Sequence, residues 1–142
     1  MKSQDDRSLL KQNNLIRFLQ KYASAIIWFL VLTILLTLPG SAFPETSWLD
    51  KIHFDKIVHV GLFFTWGILF NIHGILKKKI NLKQALGFAI ATIVYGIIME
   101  FIQKNFIPNR GFDTGDMIAN AVGAITAFFT VRYLKRRNRT GH

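Results

Sequence analysis

Long apolar runs alternate with short charged segments along this chain, and four of the runs are long enough to cross a membrane as helices. A transmembrane helix needs about 20 mostly apolar residues. The runs predict helices over residues 22–38, 57–76, 85–103 and 115–133. We therefore expect the all-α class: an integral membrane protein whose four transmembrane helices form a single domain over residues 22–134.

Two basic segments flank this predicted domain. Residues 1–21 carry apolar side chains between lysines and arginines, which predicts either an amphipathic helix on anionic lipid or a solvated tail. Residues 135–142 are predicted to be a basic tail. The first apolar run is longer than the roughly 7–15 residues of a cleaved signal sequence and is not followed by a small-residue cleavage site, so we expect an uncleaved helix.

Lysine and arginine residues are distributed unequally between the two sides of this topology. Cytoplasmic loops of membrane proteins carry an excess of these residues. One side carries Lys2, Arg7, Lys11, Arg17, Lys21, Lys77, Lys78, Lys79, Lys83, Arg132, Lys135, Arg136, Arg137 and Arg139. The other side carries only Lys51, Lys56, Lys104 and Arg110. Both termini are therefore predicted to be cytoplasmic, with outer loops over residues 39–55 and 104–114.

The composition supports a membrane environment. Hydrophobic residues make up 51% of the chain and charged residues 18%, whereas soluble domains carry about 25% charged residues. The net charge of +10 is split into blocks rather than gathered on one face, and no nucleic-acid-binding motif accompanies it, so we expect membrane lipid and not nucleic acid as the partner. The absence of cysteine excludes disulfides, thiolate nucleophiles and cysteine-based metal sites.

A set of polar residues lies near the outer ends of predicted helices two, three and four. A charged side chain at the centre of a membrane helix costs about 2.5–3.5 kcal/mol, so such residues normally face a protein interior or a wet cavity. The set comprises Asp55, Lys56, His59, Glu100, Gln103, Arg110, Asp113, Asp116 and Asn120. The topology predicts that these residues meet at one surface of the bundle.

Helical spacing places these residues on faces that should look into the bundle. Thr92, Gly96 and Glu100 recur at intervals of four along helix three, which makes one face small or polar. Asp116, Asn120 and Gly123 follow one another at intervals of four and three in helix four, and the spacing Ala119-x-x-x-Gly123 permits close helix contact. Away from this set, Thr33, Asn71 and His73 are expected to pack in the core or between helices.

The polar residues form three ordered blocks. They are Asp55-Lys56-x-x-His59, Glu100-x-x-Gln103 and Pro108-x-Arg110-x-x-Asp113-x-x-Asp116-x-x-x-Asn120-x-x-Gly123. In order and spacing this set resembles the VanZ-like family of small bacterial membrane proteins, over most of residues 35–127. The resemblance implies a four-helix protein of the bacterial plasma membrane with an outward polar site. The family is named for a protein linked to resistance to teicoplanin, a glycopeptide that binds cell-wall precursors, but the likeness supplies no reaction.

The residue types suggest a site that binds or acts on a cell-envelope lipid or glycan precursor. His59, Glu100 and Asp116 are the candidate catalytic residues, since histidine changes its charge near neutral pH and paired carboxyl groups serve as acid and base. Lys56 and Arg110 are candidates for binding an anionic headgroup. The remaining candidate substrate-binding residues are Asp55, Gln103, Asp113 and Asn120. Whether such a site catalyses a reaction is left open by the sequence.

Several alternatives stay open at this point. In one alternative the cluster is purely structural, with Asp113 capping helix four and ion pairs such as His59 with Glu100, or Arg110 with Asp113 or Asp116, holding helix ends together. This alternative makes the chain a non-catalytic envelope binding or scaffold protein. No cofactor is predicted, although the carboxylates, Asn120 and His59 offer ligands for a divalent metal. A small transporter or proton pathway is a further alternative, which the apolar inner halves of the helices disfavour.

Overall fold

The computed structural model describes residues 4–39, 41 and 54–140. This part of the chain contains four α-helices and no strands. They are α1 (Gln4–Thr37), α2 (Phe54–Leu76), α3 (Leu82–Phe106) and α4 (Thr114–Thr140). Most of the first predicted outer loop, residues 39–55, lies outside the described residues.

All four helices contain a segment that is long and apolar enough to cross a membrane. These segments are Leu10–Thr37, Phe54–Leu76, Leu82–Phe106 and Thr114–Arg139. Large apolar side chains also cover the outside of the bundle, and examples with more than half of their surface exposed are Ile27, Ile34, Ile90, Ile118 and Phe129. An apolar exterior of this extent suits contact with lipid, so the predicted all-α class and the four helices of spanning length are confirmed.

The helix ends differ from the predicted ones by several residues. α1 begins at Gln4, before the predicted limit at residue 22, and continues without a break through the basic segment. The last helix likewise continues through residues 135–140, which were predicted to be a tail. Lysine and arginine are good helix formers, so these helices extend past the apolar limits that guided the prediction. α1 ends at Thr37, just before the residue that precedes Pro39, where helical backbone is disfavoured.

The core lies between α1, α2 and α3. Leu32 and Phe63 are fully buried there, together with Trp66 and Met99. The Trp66 indole Nε1 donates a hydrogen bond to the Ala25 carbonyl oxygen at 3.1 Å. A second indole bond runs the other way, from Trp28 Nε1 to the Leu62 carbonyl oxygen at 3.0 Å. These bonds fix α1 against α2, and the apolar core separates the two ends of the bundle.

The most extensive helix contact is between α2 and α4. A Cβ atom added to Gly123 would lie 2.5 Å from the Val60 carbonyl oxygen and 2.9 Å from Phe63 Cβ. A second close approach occurs nearer the other end, where a Cβ on Gly67 would lie 2.5 Å from Ala127 Cβ. The predicted close contact at Gly123 is confirmed, because only a residue without a side chain lets the two backbones come this near.

Candidate functional site

The chain direction alternates through α2, α3 and α4, so the start of α2, the end of α3 and the start of α4 lie at the same end of the bundle. The polar stripe predicted on α3 is buried, with Glu100 and Thr92 each 1% exposed. On α4, Asp116 is 6% and Asn120 is 2% exposed. The prediction that these faces look into the bundle is confirmed.

Lys56 lies at the centre of a group of carboxylates. Its Nζ atom is 2.9 Å from Asp55 Oδ2, 2.8 Å from Asp113 Oδ2 and 3.2 Å from Asp116 Oδ1. An ammonium group has three N–H donors, and here each has a carboxylate within hydrogen-bond distance. The Lys56 ammonium lowers the pKa of the Asp113 carboxyl below its ordinary value, mainly through this hydrogen bond.

Asp113 also determines where α4 begins. Its Oδ1 atom accepts a hydrogen bond from the backbone N–H of Gly115 at 2.6 Å, and its carbonyl oxygen accepts from the N–H of Asp116 at 3.2 Å. This is the geometry of an N-cap residue, which stabilises the first turn of a helix. The helix cap that the structural alternative predicted is therefore present. Asp113 both caps α4 and forms an ion pair with Lys56.

His59 is buried between two residues of α4. Its Nδ1 atom lies 2.8 Å from Asn120 Oδ1, and its Nε2 atom lies 3.8 Å from Asp116 Oδ2. Because an amide oxygen only accepts hydrogen bonds, Nδ1 carries the proton in this pair. Nε2 is then the nitrogen that faces the Asp116 carboxyl group, at 3.8 Å from Oδ2.

The two carboxyl oxygen atoms of Glu100 differ in their hydrogen bonding. Oε1 accepts a hydrogen bond from the backbone N–H of Asp113 at 2.5 Å. Oε2 is buried, and no donor in the described part of the chain lies within hydrogen-bond distance of it. The Asp116 carboxyl group is close enough to act electrostatically on the Glu100 carboxyl group. The candidate site therefore contains a buried carboxylate oxygen whose hydrogen-bonding capacity the described residues leave unused.

The end of α1 contributes backbone carbonyl groups to this end of the bundle. Gln103 Nε2 donates to the Leu36 carbonyl oxygen at 2.8 Å, and Gln103 is 2% exposed. Arg110 Nε donates to the Leu38 carbonyl oxygen at 3.4 Å. Sequence reasoning treated the first helix as uniformly apolar and missed these contacts, since a backbone carbonyl gives no signal in the pattern of side chains.

Two glycines make room for the polar side chains. A Cβ on Gly96 would lie 3.0 Å from Asn120 Cβ and 3.1 Å from the edge of the Phe63 ring. A Cβ on Gly115 would lie 2.9 Å from Asp113 Oδ1 and 3.1 Å from Lys56 Nζ. A side chain at either position would push apart the groups that the site brings together.

Three carboxylates of the site are near enough to one another to share a cation. Oxygen atoms of Asp55, Asp113 and Asp116 all lie within 4.8 Å of one another. The Lys56 ammonium lies within 3.2 Å of each of these carboxylates. It supplies the positive charge that a group of acidic side chains requires. The divalent-metal alternative stays a prediction.

The structure brings the three sequence blocks together at one end of the bundle. Hydrogen bonds and ion pairs join Lys56 to Asp113, His59 to Asn120 and Glu100 to Asp113. The roles assigned to these residues stay predictions. Comparisons with protein-family models, with curated proteins and with solved structures found no match to this chain. The resemblance to the VanZ-like family therefore stays a prediction from the spacing of the blocks.

Proposed function

We propose that this chain is a VanZ-like protein of the bacterial plasma membrane whose polar site, on the outer side of that membrane, binds or acts on a cell-envelope lipid or glycan precursor. The proposed orientation, with both termini in the cytoplasm, follows from the lysine and arginine distribution. The proposed link to glycopeptide resistance follows from the family resemblance. The four apolar helices are consistent with access of the site to a lipid-anchored substrate from the membrane.

The Oε2 atom of Glu100, which has no hydrogen-bond partner among the described residues, carries this proposal. Buried polar atoms in proteins are almost always hydrogen-bonded, and leaving one unsatisfied costs about 1–3 kcal/mol. A network that served only to hold helices together would be expected to satisfy this carboxylate. A hydroxyl or amino group of a ligand, placed next to His59 and Asp116, would supply the missing hydrogen bond.

The charge of the site suggests which part of a precursor it recognises. Lys56 is surrounded by Asp55, Asp113 and Asp116, so its ammonium is already matched by carboxylates. A phosphate near this group would meet an excess of negative charge. We therefore expect the carboxylates to face the sugar hydroxyl or amino groups of the precursor, with His59 as general acid or base.

A structural cluster is the second candidate, and the ion pairs of Lys56 favour it. These pairs connect the start of α2 to the start of α4, and Asp113 caps α4 in addition. On this view the chain is an envelope scaffold, and the buried carboxylates only hold its helices together. We do not propose a transport pathway, because Leu32, Phe63 and Trp66 fill the core between the two ends of the bundle.

Variants in a bacterial strain that lacks the gene separate these candidates. His59→Ala, Glu100→Gln and Asp116→Asn are compared with the wild type for glycopeptide susceptibility at matched membrane abundance. Thr92→Val is the control, since Thr92 is also buried and unsatisfied but is not joined to the cluster. Loss of protection in the three site variants alone supports the proposal. Failure of these variants to accumulate in the membrane supports the structural candidate, and full protection contradicts the proposed site.

A further inference from the structure

A cavity of about 250 Å³ opens at the end of the bundle opposite the polar site. It lies between α1, the end of α2 and the start of α3. Its basic lining residues are Lys21, His73, Lys77 and Lys79. No acidic side chain lines it among the described residues. A concave site with one sign of charge concentrates ligands of the opposite sign.

The turn after α2 brings two of these lysines to the cavity. The backbone N–H of Lys79 donates to the Gly74 carbonyl oxygen at 2.8 Å, and that of Lys78 donates to the Ile75 carbonyl oxygen at 3.1 Å. This is the Schellman arrangement that ends many helices, and it requires a left-handed residue, here Lys78 with φ of 53°. The reversal leaves Lys77 and Lys79 in the cavity wall, whereas Lys78 between them is not part of it.

The opposite wall is aromatic and polar. The Tyr22 ring stacks on Phe70 with a centroid separation of 4.9 Å, and the Tyr22 hydroxyl accepts a hydrogen bond from Gln84 Nε2. Lys21 Nζ lies 4.9 Å from the centre of the Tyr22 ring, a cation–π contact that holds its charge at the cavity. Tyrosine and lysine side chains are typical of the membrane–water boundary, where one end of the side chain is apolar and the other is wet.

The start of α3 adds a further positive contribution. Asn81 lines the cavity and caps this helix, its side chain accepting from the N–H groups of Lys83 and Gln84. The N-terminal end of a helix carries a partial positive charge that favours anions. The N-terminal end of α3 and the lysines therefore both make the electrostatic potential in the cavity more positive.

The apolar surface beside the cavity indicates what kind of molecule would carry the bound anionic group. Ile26, which is 38% exposed, follows Tyr22 by one helical turn along α1 towards the middle of the bundle. An apolar surface thus continues from the cavity along α1 towards the middle of the bundle. A lipid bound with its headgroup in the cavity would extend its acyl chains along this surface. Basic pockets between transmembrane helices bind the headgroups of anionic lipids in this way.

We propose that this cavity binds the phosphate of an anionic phospholipid headgroup, through Lys21, Lys77 and Lys79. The site is separate from the polar site at the other end of the bundle and does not depend on its function. A free phosphate ester offers the same charge, but it would make no use of the apolar surface beside Tyr22.

Binding to the purified full-length protein in detergent tests this site. The probes are short-chain phosphatidylglycerol, short-chain phosphatidylcholine and inorganic phosphate, with bound ligand counted by native mass spectrometry. Lys77→Gln with Lys79→Gln is the test variant. Lys78→Gln with Lys83→Gln is its matched control, since it removes the same charge from the same connection without touching the cavity. Each lysine near an anionic headgroup contributes about fivefold to binding, so we expect about 25-fold weaker phosphatidylglycerol binding in the test variant and little change in the control.

Three results would overturn the proposal. Equal binding of phosphatidylcholine would show that the headgroup charge is not recognised. Equal weakening in both double variants would show attraction to overall charge rather than to a site. Inorganic phosphate binding as tightly as phosphatidylglycerol would assign the cavity to a free anion instead of a lipid. Should the test variant fail to fold, as judged by circular dichroism, the single variants Lys79→Gln and Lys83→Gln provide the same comparison.

Discussion

Lys56 Nζ lies 2.8 Å from Asp113 Oδ2, and this ion pair joins the first turn of α2 to the residue that caps α4. The same ammonium reaches Asp55 and Asp116. One side chain thus forms ion pairs with carboxylates from the starts of α2 and α4, at the end of the bundle where His59 and Glu100 are buried. The positions of the candidate catalytic groups depend on this connection.

Removal of the Lys56 charge should destabilise the fold. Lys56→Met leaves Asp113 and Asp116 close together without a cation, and we expect the free energy of unfolding to fall by about 1–3 kcal/mol. Adding Asp113→Asn to this variant should restore part of the loss, because it removes one of the repelling charges. Thermal unfolding of the purified variants in detergent measures both effects. An unchanged unfolding temperature in Lys56→Met would show that the ion pairs contribute nothing.

The Asp113 carboxyl should make stability depend on pH in a defined direction. Lys56 lowers the pKa of Asp113 in the folded protein below its ordinary value of 3.8, so the folded state binds this proton less readily than the unfolded state. The stabilisation is present above that value and is lost as the pH falls through the lowered pKa. Asp113→Asn retains a capping side chain and should show a smaller loss of unfolding temperature from about pH 6 to about pH 3. Equal slopes for the two proteins would contradict this coupling.

The tautomer of His59 follows from its contact with Asn120. Nitrogen-15 NMR of the neutral imidazole should show the proton on Nδ1, the atom that lies 2.8 Å from the Asn120 amide oxygen. Asn120→Leu removes the acceptor and should allow the other tautomer, while the signals of His73 at the far end of α2 stay unchanged. A predominant Nε2–H form in the wild type would contradict the hydrogen bond from His59 Nδ1 to the Asn120 amide oxygen.

Two glycines offer a matched test of helix packing. Gly123→Ala places a Cβ 2.5 Å from the Val60 carbonyl oxygen and 3.0 Å from the Phe64 backbone nitrogen, so α2 and α4 must separate, at a cost of about 1–3 kcal/mol. Gly87→Ala meets no atom within 4 Å and should instead gain about 0.5–1 kcal/mol from its higher helix propensity. Chemical unfolding of both variants gives the comparison. Equal effects would show that the close approach at Gly123 does not limit packing.

Much of the fold could be predicted from the sequence, because the length of an apolar run determines whether a helix can span a membrane. The inward faces of α3 and α4 were predictable as well, since Glu100 and Asn120 lie on stripes of small and polar residues. The limits of α1 and α4 were not predictable from hydrophobicity. Helix continues there through basic residues, such as those after position 134, that satisfy helix propensity without being apolar.

The sequence predicted which residues belong to the site better than it predicted which of them form ion pairs with one another. One structural alternative read from the sequence paired Arg110 with Asp113 or Asp116, and it did not include the ion pairs that Lys56 forms with these two carboxylates. Which cation reaches a carboxylate depends on the rotation of each helix about its axis, and the sequence does not determine that rotation. The cavity beside Lys77 and Lys79 was missed for a similar reason, because it requires α1 to pack against the turn after α2.

The central claim concerns the buried Glu100 carboxylate, and precursor binding tests it most directly. Wild-type protein and Glu100→Gln are placed in nanodiscs of zwitterionic lipid, which leaves the opposite cavity without an anionic headgroup, and the affinity for a purified lipid-linked cell-wall precursor is measured with Thr92→Val as the control. Loss of the partner of a buried hydrogen bond costs about 1–3 kcal/mol, so we predict that Glu100→Gln binds about tenfold more weakly while the control is unchanged. Equal affinities in two folded proteins, or no binding by the wild type, would contradict the account.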